Sequence, residues 1–305
     1  MSPSYDVVVA GGGIAGMSAA LAAARLGRRT LVLAGDVPGG NLLSIEKVEG
    51  YPGFPEGVAG YDLCPMAQAM AAEAGAELET QQLLRVEGEA PALRLLTPTN
   101  ELTAKTLIVA TGASPKALGV PGEERLKGKG VSHCASCDGP LLRDAVVVVI
   151  GGGDSAMQES LTLAAFASRV IVLCRGEALG GQASYRERVL GHPKIEVRFN
   201  AQVEEIIGTD GVSGVRLRGA AQALDARAVF TYIGLEPNTA FLAGRLALDA
   251  RGRITTDAAM ASTCEGIFAA GLARAGSPGR AIASAGEGAT AAAAADAYLR
   301  GDGAP

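Results

Sequence analysis

Two glycine-rich turns constrain the fold of this chain more than any other feature. The first spans residues 11–16 and reads Gly-Gly-Gly-Ile-Ala-Gly, and the second spans residues 151–156 and reads Gly-Gly-Gly-Asp-Ser-Ala. An apolar, β-branched run precedes each turn, and a helical segment with a second apolar run follows it. This order is typical of a dinucleotide-binding unit, in which a diphosphate sits at the helix N-terminus. The chain is therefore predicted to contain two such units.

The segments between the turns support an α/β fold. We predict an α/β protein with two Rossmann-like, three-layer dinucleotide-binding domains, the second inserted in the first. Strands are predicted at residues 5–10, 29–33, 106–110, 145–150, 169–173, 195–199, 202–207, 212–217, 229–234 and 266–270. Helices are predicted at residues 17–26 and 61–74, from the end of the second glycine turn at Ala156 to about Ala167, and from about residue 285 to 299.

A pair of cysteines lies between the two units. Cys134 and Cys137 are two residues apart in Cys-Ala-Ser-Cys, and Asp138 follows directly. A zinc site would need a second pair or histidines at ligand spacing, and neither His133 nor His192 supplies one. We therefore predict a redox-active dithiol, with Asp138 as the nearby proton donor and acceptor. Asp138 as a cap of the next turn is the alternative.

Charge and hydropathy exclude several function classes. The net charge of −5 gives no reason to expect nucleic-acid binding. No apolar run approaches the ~20 residues of a membrane span. The first residues lack the basic and apolar regions of a signal peptide. A cytoplasmic location is therefore expected, with no membrane contact.

Taken together, these motifs resemble the low-molecular-weight thioredoxin reductases over nearly the whole chain. The block from Cys134 to Pro140 is the most specific part of the resemblance. The other matching segments are residues 11–16, 39–42, 51–54, 110–113, 151–156, 233–234, 237–238 and 266–271. The resemblance implies an FAD domain of residues 1–116 and 246–305, and an inserted second-nucleotide domain of residues 117–245. It also implies a homodimer whose partner is a thioredoxin-like protein.

The resemblance assigns roles to individual residues. Cys137 is expected to face the flavin and Cys134 the partner disulfide, while His133 is expected to be exposed. The positions expected at the FAD are Gly11, Gly13, Ile14, Ala15, Gly16, Asp36, Gly39, Gly40, Asn41, Ala110, Thr111, Gly112, Gly271, Leu272, Arg280 and Ala281. The positions expected at the second nucleotide are Gly151, Gly153, Asp154, Ser155 and Arg175.

The chain departs from the family where the 2′-phosphate of NADPH is bound. The family uses arginines after the second strand of the inserted domain, and here only Arg175 remains, with Gly176 and Gly180 in the other two positions. Arginine binds phosphate with paired, charge-assisted hydrogen bonds that glycine cannot make. NADPH is therefore not the expected donor. Reduced ferredoxin is one alternative, and the second nucleotide is NADPH, NADH or a second FAD.

Further departures lie at the flavin. The family has an aspartate where this chain has Leu272, and a glutamine where it has Ala281. Asn41 and Gly50 replace the usual glutamine and asparagine. The main hypothesis is an FAD-dependent reductase of a protein disulfide. A dithiol oxidase that passes electrons to oxygen and a flavin-binding regulatory module without turnover are the alternatives.

Overall fold

The chain folds into two units, and the computed structural model describes residues 3–242 and 244–301. The first unit contains the chain up to Leu43, Lys47–Ser114 and the chain from Glu236 onward. The second contains Ser44–Glu46 and Pro115–Leu235. The predicted α/β class with two Rossmann-like units, one inserted in the other, is confirmed.

The strands and helices are numbered in chain order. The strands are β1 Ser4–Ala10, β2 Thr30–Leu33, β3 Glu77–Glu79, β4 Arg85–Glu87, β5 Leu93–Leu96, β6 Glu101–Val109, β7 Ala113–Pro115, β8 Val131–Ser132, β9 Val146–Ile150, β10 Arg169–Leu173, β11 Ile195–Arg198, β12 Val203–Gly208, β13 Val212–Leu217, β14 Leu224–Asp225, β15 Ala228–Thr231, β16 Leu235–Pro237 and β17 Ile267–Ala269. The helices are α1 Ile14–Arg25, α2 Gly60–Glu73, α3 Ala135–Asp138, α4 Asp154–Ala164, α5 Ala183–Leu190 and α6 Ala281–Arg300.

The first unit is built on a mixed sheet. Its parallel part has the order β3-β2-β1-β6, with β17 on the other side of β6, and β5 and β4 extend it as an antiparallel meander. Strand β1 is central, and Val7, Val8 and Val9 are completely buried. Helices α1 and α6 pack closely, because a Cβ on Gly288 would lie only 2.0 Å from the carbonyl oxygen of Ala15. Small residues are abundant in this chain, and in this unit they allow the two helices to approach closely.

The second unit is built on a fully parallel sheet of the order β11-β10-β9-β15-β8. One core beneath it includes Val147, Val149 and Phe230, packed against residues of α3, α4 and α5. A second core joins the other face to the antiparallel sheet of β12, β13 and β14. The sheet is thus covered on both faces, as parallel sheets require.

Element boundaries differ from the predictions in both strands and helices, and β6, for example, begins at Glu101 where residue 106 was predicted. Helices α1 and α6 begin three and four residues earlier than the predicted Met17 and Ala285, because each starts at its N-terminal turn without a side-chain cap that would mark it. Helices α3 and α5 were not predicted, since they are short and lack strong apolar periodicity. Contacts place the return to the first unit at Glu236, earlier than the predicted residue 246.

Across the described ranges, none of the helices has the length and apolar character that crossing a bilayer demands.

Candidate redox active site

The two central cysteines form a disulfide. The Cys134–Cys137 bond measures 2.01 Å, and the two Cα atoms are 5.3 Å apart. Cys134 is the N-cap of the short helix α3, and its sulfur accepts a hydrogen bond of 3.2 Å from the backbone N–H of Cys137. The Ser136 hydroxyl lies 3.5 Å from the same sulfur. The Ser136 hydroxyl donates its proton to the Ser44 carbonyl oxygen at 2.9 Å, so the backbone N–H of Cys137 is the group that favours negative charge on the Cys134 sulfur once the disulfide is opened.

Asp138 is the last residue of α3 and is half-buried. It is also the N-cap position of the 3₁₀ turn Gly139–Leu142, but its side chain makes no capping hydrogen bond there. The alternative role as a cap is therefore not used in this geometry. The carboxyl group stands one residue beyond Cys137, where a proton donor and acceptor is useful.

His133 is half-buried, and the expectation that it is exposed was wrong. Its Nδ1 lies 3.0 Å from the carbonyl oxygen and 2.9 Å from the Oγ1 of Thr231. The Thr231 carbonyl oxygen accepts when Nδ1 carries the proton, and the Thr231 hydroxyl donates when it does not. The imidazole is thus anchored to the end of β15, and the signal was missed because the contact spans 98 residues of sequence.

The first glycine turn is shaped as a cradle at the start of α1. Gly11 has a φ of +117°, and a Cβ there would lie 2.2 Å from the Ala110 carbonyl oxygen. A Cβ on Gly16 would lie 1.9 Å from the Gly11 carbonyl oxygen. At Gly13, in contrast, a Cβ would meet only the Gly39 carbonyl oxygen at 3.9 Å, which leaves space before the helix. Ile14 and Ala15 are the first two residues of the helix, so the turn fits a dinucleotide diphosphate.

The neighbouring loops of the first unit are tied together by side chains. Asn41 donates a hydrogen bond of 2.7 Å to the Ala113 carbonyl oxygen. Asp36 is exposed and accepts a hydrogen bond from Gln82. Gly39 and Gly40 both have positive φ, and the Gly39 N–H donates to the Gly12 carbonyl oxygen at 2.9 Å, which brings this loop to the glycine turn.

The strand end at Ala110, Thr111 and Gly112 is held by a residue that sequence reasoning did not place at the site. The Thr111 hydroxyl donates to the carbonyl oxygen of Asn238 at 2.8 Å, and the Asn238 amide donates to the Thr111 carbonyl oxygen at 3.0 Å. The Asn238 N–H also donates to the Gly112 carbonyl oxygen at 3.0 Å. The only sequence signal for Asn238 was its place in the family resemblance.

A buried ion pair holds the turn at Gly271. Its N–H donates to Glu287 at 2.7 Å, and Arg274 donates to the other carboxylate oxygen of Glu287 at 3.0 Å. Leu272 is half-buried, and its side chain would lie 3.3 Å from a Cβ on Gly279. Arg280 and Ala281, which were expected at the flavin, are the N-cap and the first residue of α6. Glu287 was missed because the alanine-rich sequence of α6 gives no sign of a buried carboxylate.

The second glycine turn repeats the shape of the first. Gly151 has a φ of +143°, and a Cβ there would lie 2.3 Å from the Tyr232 carbonyl oxygen. A Cβ on Gly153 would meet nothing within 4 Å, which leaves open space at the start of α4. Ser155 is exposed in the first turn of that helix. The turn therefore also fits a diphosphate.

The loop after β10 folds back on this turn. The Gly180 N–H donates to the Gly152 carbonyl oxygen at 2.7 Å, and the Gln182 N–H donates to Asp154 at 2.7 Å. Arg175 is exposed. Asp154 thus has a structural role in holding the loop, in addition to its predicted place at the nucleotide.

Gly176 and Gly180 are not required by the backbone of this loop. Neither has a positive φ, and a Cβ would meet its nearest neighbour at 3.9 Å on Gly176 and at 3.7 Å on Gly180. Arginine would therefore be tolerated at both positions. The positive charge of the loop is low because of the sequence and not because of the fold.

No group of side chains suited to a metal ion occurs among residues 3–242 and 244–301. The remaining cysteines are free thiols, of which Cys64 and Cys174 are buried and Cys264 is half-buried. Only the pair in α3 can therefore undergo a dithiol–disulfide cycle within this chain, as far as the described residues go.

Comparisons with known proteins agree with this geometry. The sequence profile of the pyridine nucleotide-disulphide oxidoreductase family matches residues 5–288. A thioredoxin reductase of Treponema pallidum is 39% identical over 303 residues, which covers 98% of each chain. Among solved structures, the thioredoxin reductase of Lactococcus lactis superposes with a TM-score of 0.94 at 33% identity, over 97% of this chain and 99% of that one. The thioredoxin reductase of T. acidophilum gives 0.92 at 31% identity, over 99% and 100%.

The chain belongs to the thioredoxin reductase family. It is accordingly an FAD-dependent disulfide oxidoreductase of thioredoxin-reductase type, as the sequence predicted. The alternative of a regulatory module without turnover is therefore not adopted.

Proposed function

We propose that this chain reduces the disulfide of a thioredoxin-type protein through Cys134 and Cys137. The observation that carries the proposal is the asymmetric disulfide of α3, in which the Cys134 sulfur receives a backbone N–H while Asp138 makes no capping bond. The family membership supports the same substrate class. FAD, when bound at the first glycine turn, supplies the electron pair that opens the disulfide.

The thiol chemistry then follows from the positions of three side chains. Cys134, as thiolate, attacks the partner disulfide, forms a mixed disulfide and expels one partner sulfur. Asp138 accepts the proton that Cys134 loses and returns it to that sulfur. Cys137 then attacks the Cys134 sulfur, which restores the enzyme disulfide and releases the partner's second thiol with the proton from Cys137.

We assign FAD to the first unit and a second nucleotide to the inserted one. The support is the cradle at residues 11–16, the positive-φ glycines of the 39–40 loop and the strand end at 110–112. In this assignment the side chains of Leu272 and Ala281 offer no hydrogen bond to the flavin, and Gly271 and Arg280 would line the site beside them. The second glycine turn holds NADPH, NADH or a second FAD.

The donor that fits the inserted unit best is one that does not need a 2′-phosphate site. Arg175 is the only arginine from residue 174 to residue 181, and Glu177 is exposed beside it. Two missing arginine contacts at roughly 1.5–3 kcal/mol each lower the affinity for NADPH by orders of magnitude. Reduced ferredoxin or a second flavin is then the electron source.

The test is anaerobic mixing of the oxidised holoprotein with NADPH, NADH or chemically reduced ferredoxin. We expect slow bleaching of the flavin absorbance with NADPH, and fast reduction of thioredoxin once a competent donor is present. Rapid bleaching by NADPH at micromolar concentration would refute the proposed donor. A Cys137→Ser variant is the control, since it keeps the flavin but cannot complete the disulfide cycle.

A separate assay in air distinguishes a reductase from an oxidase. A dithiol oxidase would produce peroxide steadily from a small dithiol and air without any thioredoxin. We expect peroxide only at the background rate of free reduced flavin.

We further propose that the protein is a cytoplasmic homodimer, because the family that it resembles is homodimeric. Light scattering on the holoprotein as it elutes from a size-exclusion column tests the dimer.

A further inference from the structure

A buried carboxyl group lies behind the redox helix and has no role in the scheme above. Glu159 is in the middle of α4, is only 4% exposed, and its Oε2 has no hydrogen-bond partner. Helix α4 packs against α3, so that Gly139, directly after Asp138, faces the α4 residue Leu163 and Phe166 just beyond the helix end. A carboxylate in such a place is costly unless it stays protonated or finds a partner.

A second buried polar group lies in the same place. The Tyr232 hydroxyl is buried beside the backbone of Ala135, the first residue of α3, and the ring packs in the core that contains Ala135. Burial is the main cause of the raised pKa of Tyr232, and Glu159 and Asp138 raise it further. The two groups therefore connect the interior of α4 to the end of the helix that carries the disulfide.

We propose that Glu159 and Tyr232 form a buried proton-holding pair behind α3, in which Glu159 is a positioning residue whose uncharged carboxyl lets Asp138 and the dithiol exchange protons. The inference rests on the proposed disulfide reduction. An ionised Glu159 would place a negative charge behind three groups that must themselves take negative charge during the cycle. Reduction should therefore slow when Glu159 loses its proton.

The charges around the pair support an uncharged Glu159. Burial, and after it the carboxylate of Glu46, raises the pKa of Glu159 to about 8. Burial, followed by Glu159, raises the pKa of Tyr232. On the neighbouring elements, Glu196 and Arg198 of β11 pair with each other. The charged residues of α5, namely Arg186, Glu187 and Arg188, are exposed.

The experiment uses the full holoprotein, reduced with dithiothreitol and freed of it without oxygen. The rate of reduction of the small disulfide DTNB is followed from about pH 6.5 to 9.5. We expect the native rate to fall above about pH 8, where Glu159 ionises. Glu159→Gln, which stays neutral at every pH, should lose this fall. Glu187→Gln, an exposed change in the same unit, should keep it.

Two further measurements separate proton holding from a merely structural role. Infrared difference spectra between the oxidised and reduced protein should show a protonated carboxylic acid that shifts on reduction and disappears in Glu159→Gln. In Tyr232→Phe the alkaline fall should move to higher pH, because the carboxylate loses its polar neighbour.

The proposal is overturned by a Glu159→Gln profile that superimposes on the native one, or by the absence of the carboxylic acid band. If the rate of DTNB reduction falls at the same pH in Tyr232→Phe as in the native protein, the pairing of Glu159 with Tyr232 is overturned. If Glu159→Gln does not fold, the infrared band of the native chain still decides. If the reduced native protein fails to reduce DTNB at all pH values, the proposed function fails, while the band continues to test the protonation of Glu159.

Discussion

Asp138 is the proposed proton donor and acceptor beside the dithiol, and this role predicts the effect of replacing it. Replacing Asp138 by Asn keeps the shape of the side chain but removes its proton. General acid–base groups contribute roughly 10²–10⁴-fold to a rate. We therefore expect Asp138→Asn to slow thioredoxin reduction by about 10²-fold or more, with the flavin spectrum unchanged. Steady-state assays with Asp210→Asn, an exposed aspartate of the same unit, give the control.

Leu141 is a second residue whose environment suggests a role. It is 82% exposed and lies three residues after Asp138. An apolar side chain this exposed beside a redox pair is suited to contact a protein partner. Leu141→Asp should raise KM for thioredoxin by roughly 10-fold, since contact residues of this kind contribute ~1–2 kcal/mol. Reduction of DTNB should not change, and an equal loss with DTNB would contradict a docking role.

At this scale, spacing in the sequence was enough to locate Cys134, Cys137 and Asp138 on one short segment. It could not locate Asn238 or Glu287, which reach the site from segments 127 and 16 residues away from their partners. The burial of Glu159 was equally invisible, because a glutamate in a helix is normally at the surface. Contacts of this kind depend on tertiary packing that no local pattern encodes.

The loop between β10 and α5 provides a test at the scale of an element. Gly176→Arg with Gly180→Arg restores the cations that the family uses, at positions whose backbone accepts a side chain. We expect NADPH to bind about 10²-fold more tightly in the double variant, since each charge-assisted contact contributes ~1.5–3 kcal/mol. Titration with NADH is the control, because it lacks the 2′-phosphate and should gain little. Equal gains for both nucleotides would exclude a specific phosphate site.

Helix α6 contributes stability through the buried carboxylate of Glu287. Glu287→Ala leaves Arg274 and the Gly271 N–H without their partner in a buried setting. Breaking such a pair costs roughly 3–5 kcal/mol. Urea denaturation should show this loss, together with easier release of FAD. Glu101→Ala, in the exposed pair with Arg94, is the control and should leave the urea midpoint nearly unchanged.

Elements with strong apolar periodicity or β-branched runs were predictable. Strands β10 and β13 have the predicted limits, at Arg169–Leu173 and Val212–Leu217. Helix α5 was not, because its sequence Ala-Ser-Tyr-Arg-Glu-Arg-Val-Leu buries only Tyr185 and Val189. The early start of α6 was hidden by two glycines, Gly286 and Gly288, in its first turns. A glycine normally argues against a helix, but Gly288 is needed for contact with α1.

For the whole molecule, the buried Glu159 predicts a dependence of stability on pH. Its pKa is raised from 4.5 to about 8 in the folded protein, so the folded state holds a proton that the unfolded chain releases. The contribution is fully present below 4.5 and is lost as pH rises to about 8. The slope for one proton is roughly 1.4 kcal/mol per pH unit. Urea denaturation at a series of pH values measures this. Between pH 4.5 and about 8, the free energy of unfolding should change less with pH in Glu159→Gln than in Glu187→Gln.

The nested arrangement of the units was predictable because the glycine turn occurs twice. The point of return was harder to place, since Pro237-Asn238 resembles a linker in sequence but is bound to the strand end at Thr111 and Gly112. A turn that looks irregular can thus belong to the core of a site.

One consequence concerns the order of synthesis. The parallel sheet of the first unit needs β17, and α1 needs α6, both of which leave the ribosome after the entire inserted unit. The inserted unit is nearly continuous in sequence and needs no later segment to close its sheet. On a translating ribosome the inserted unit, which carries the dithiol, should therefore fold first. Strand β1 and helix α1 stay exposed until the alanine-rich helix α6 has emerged.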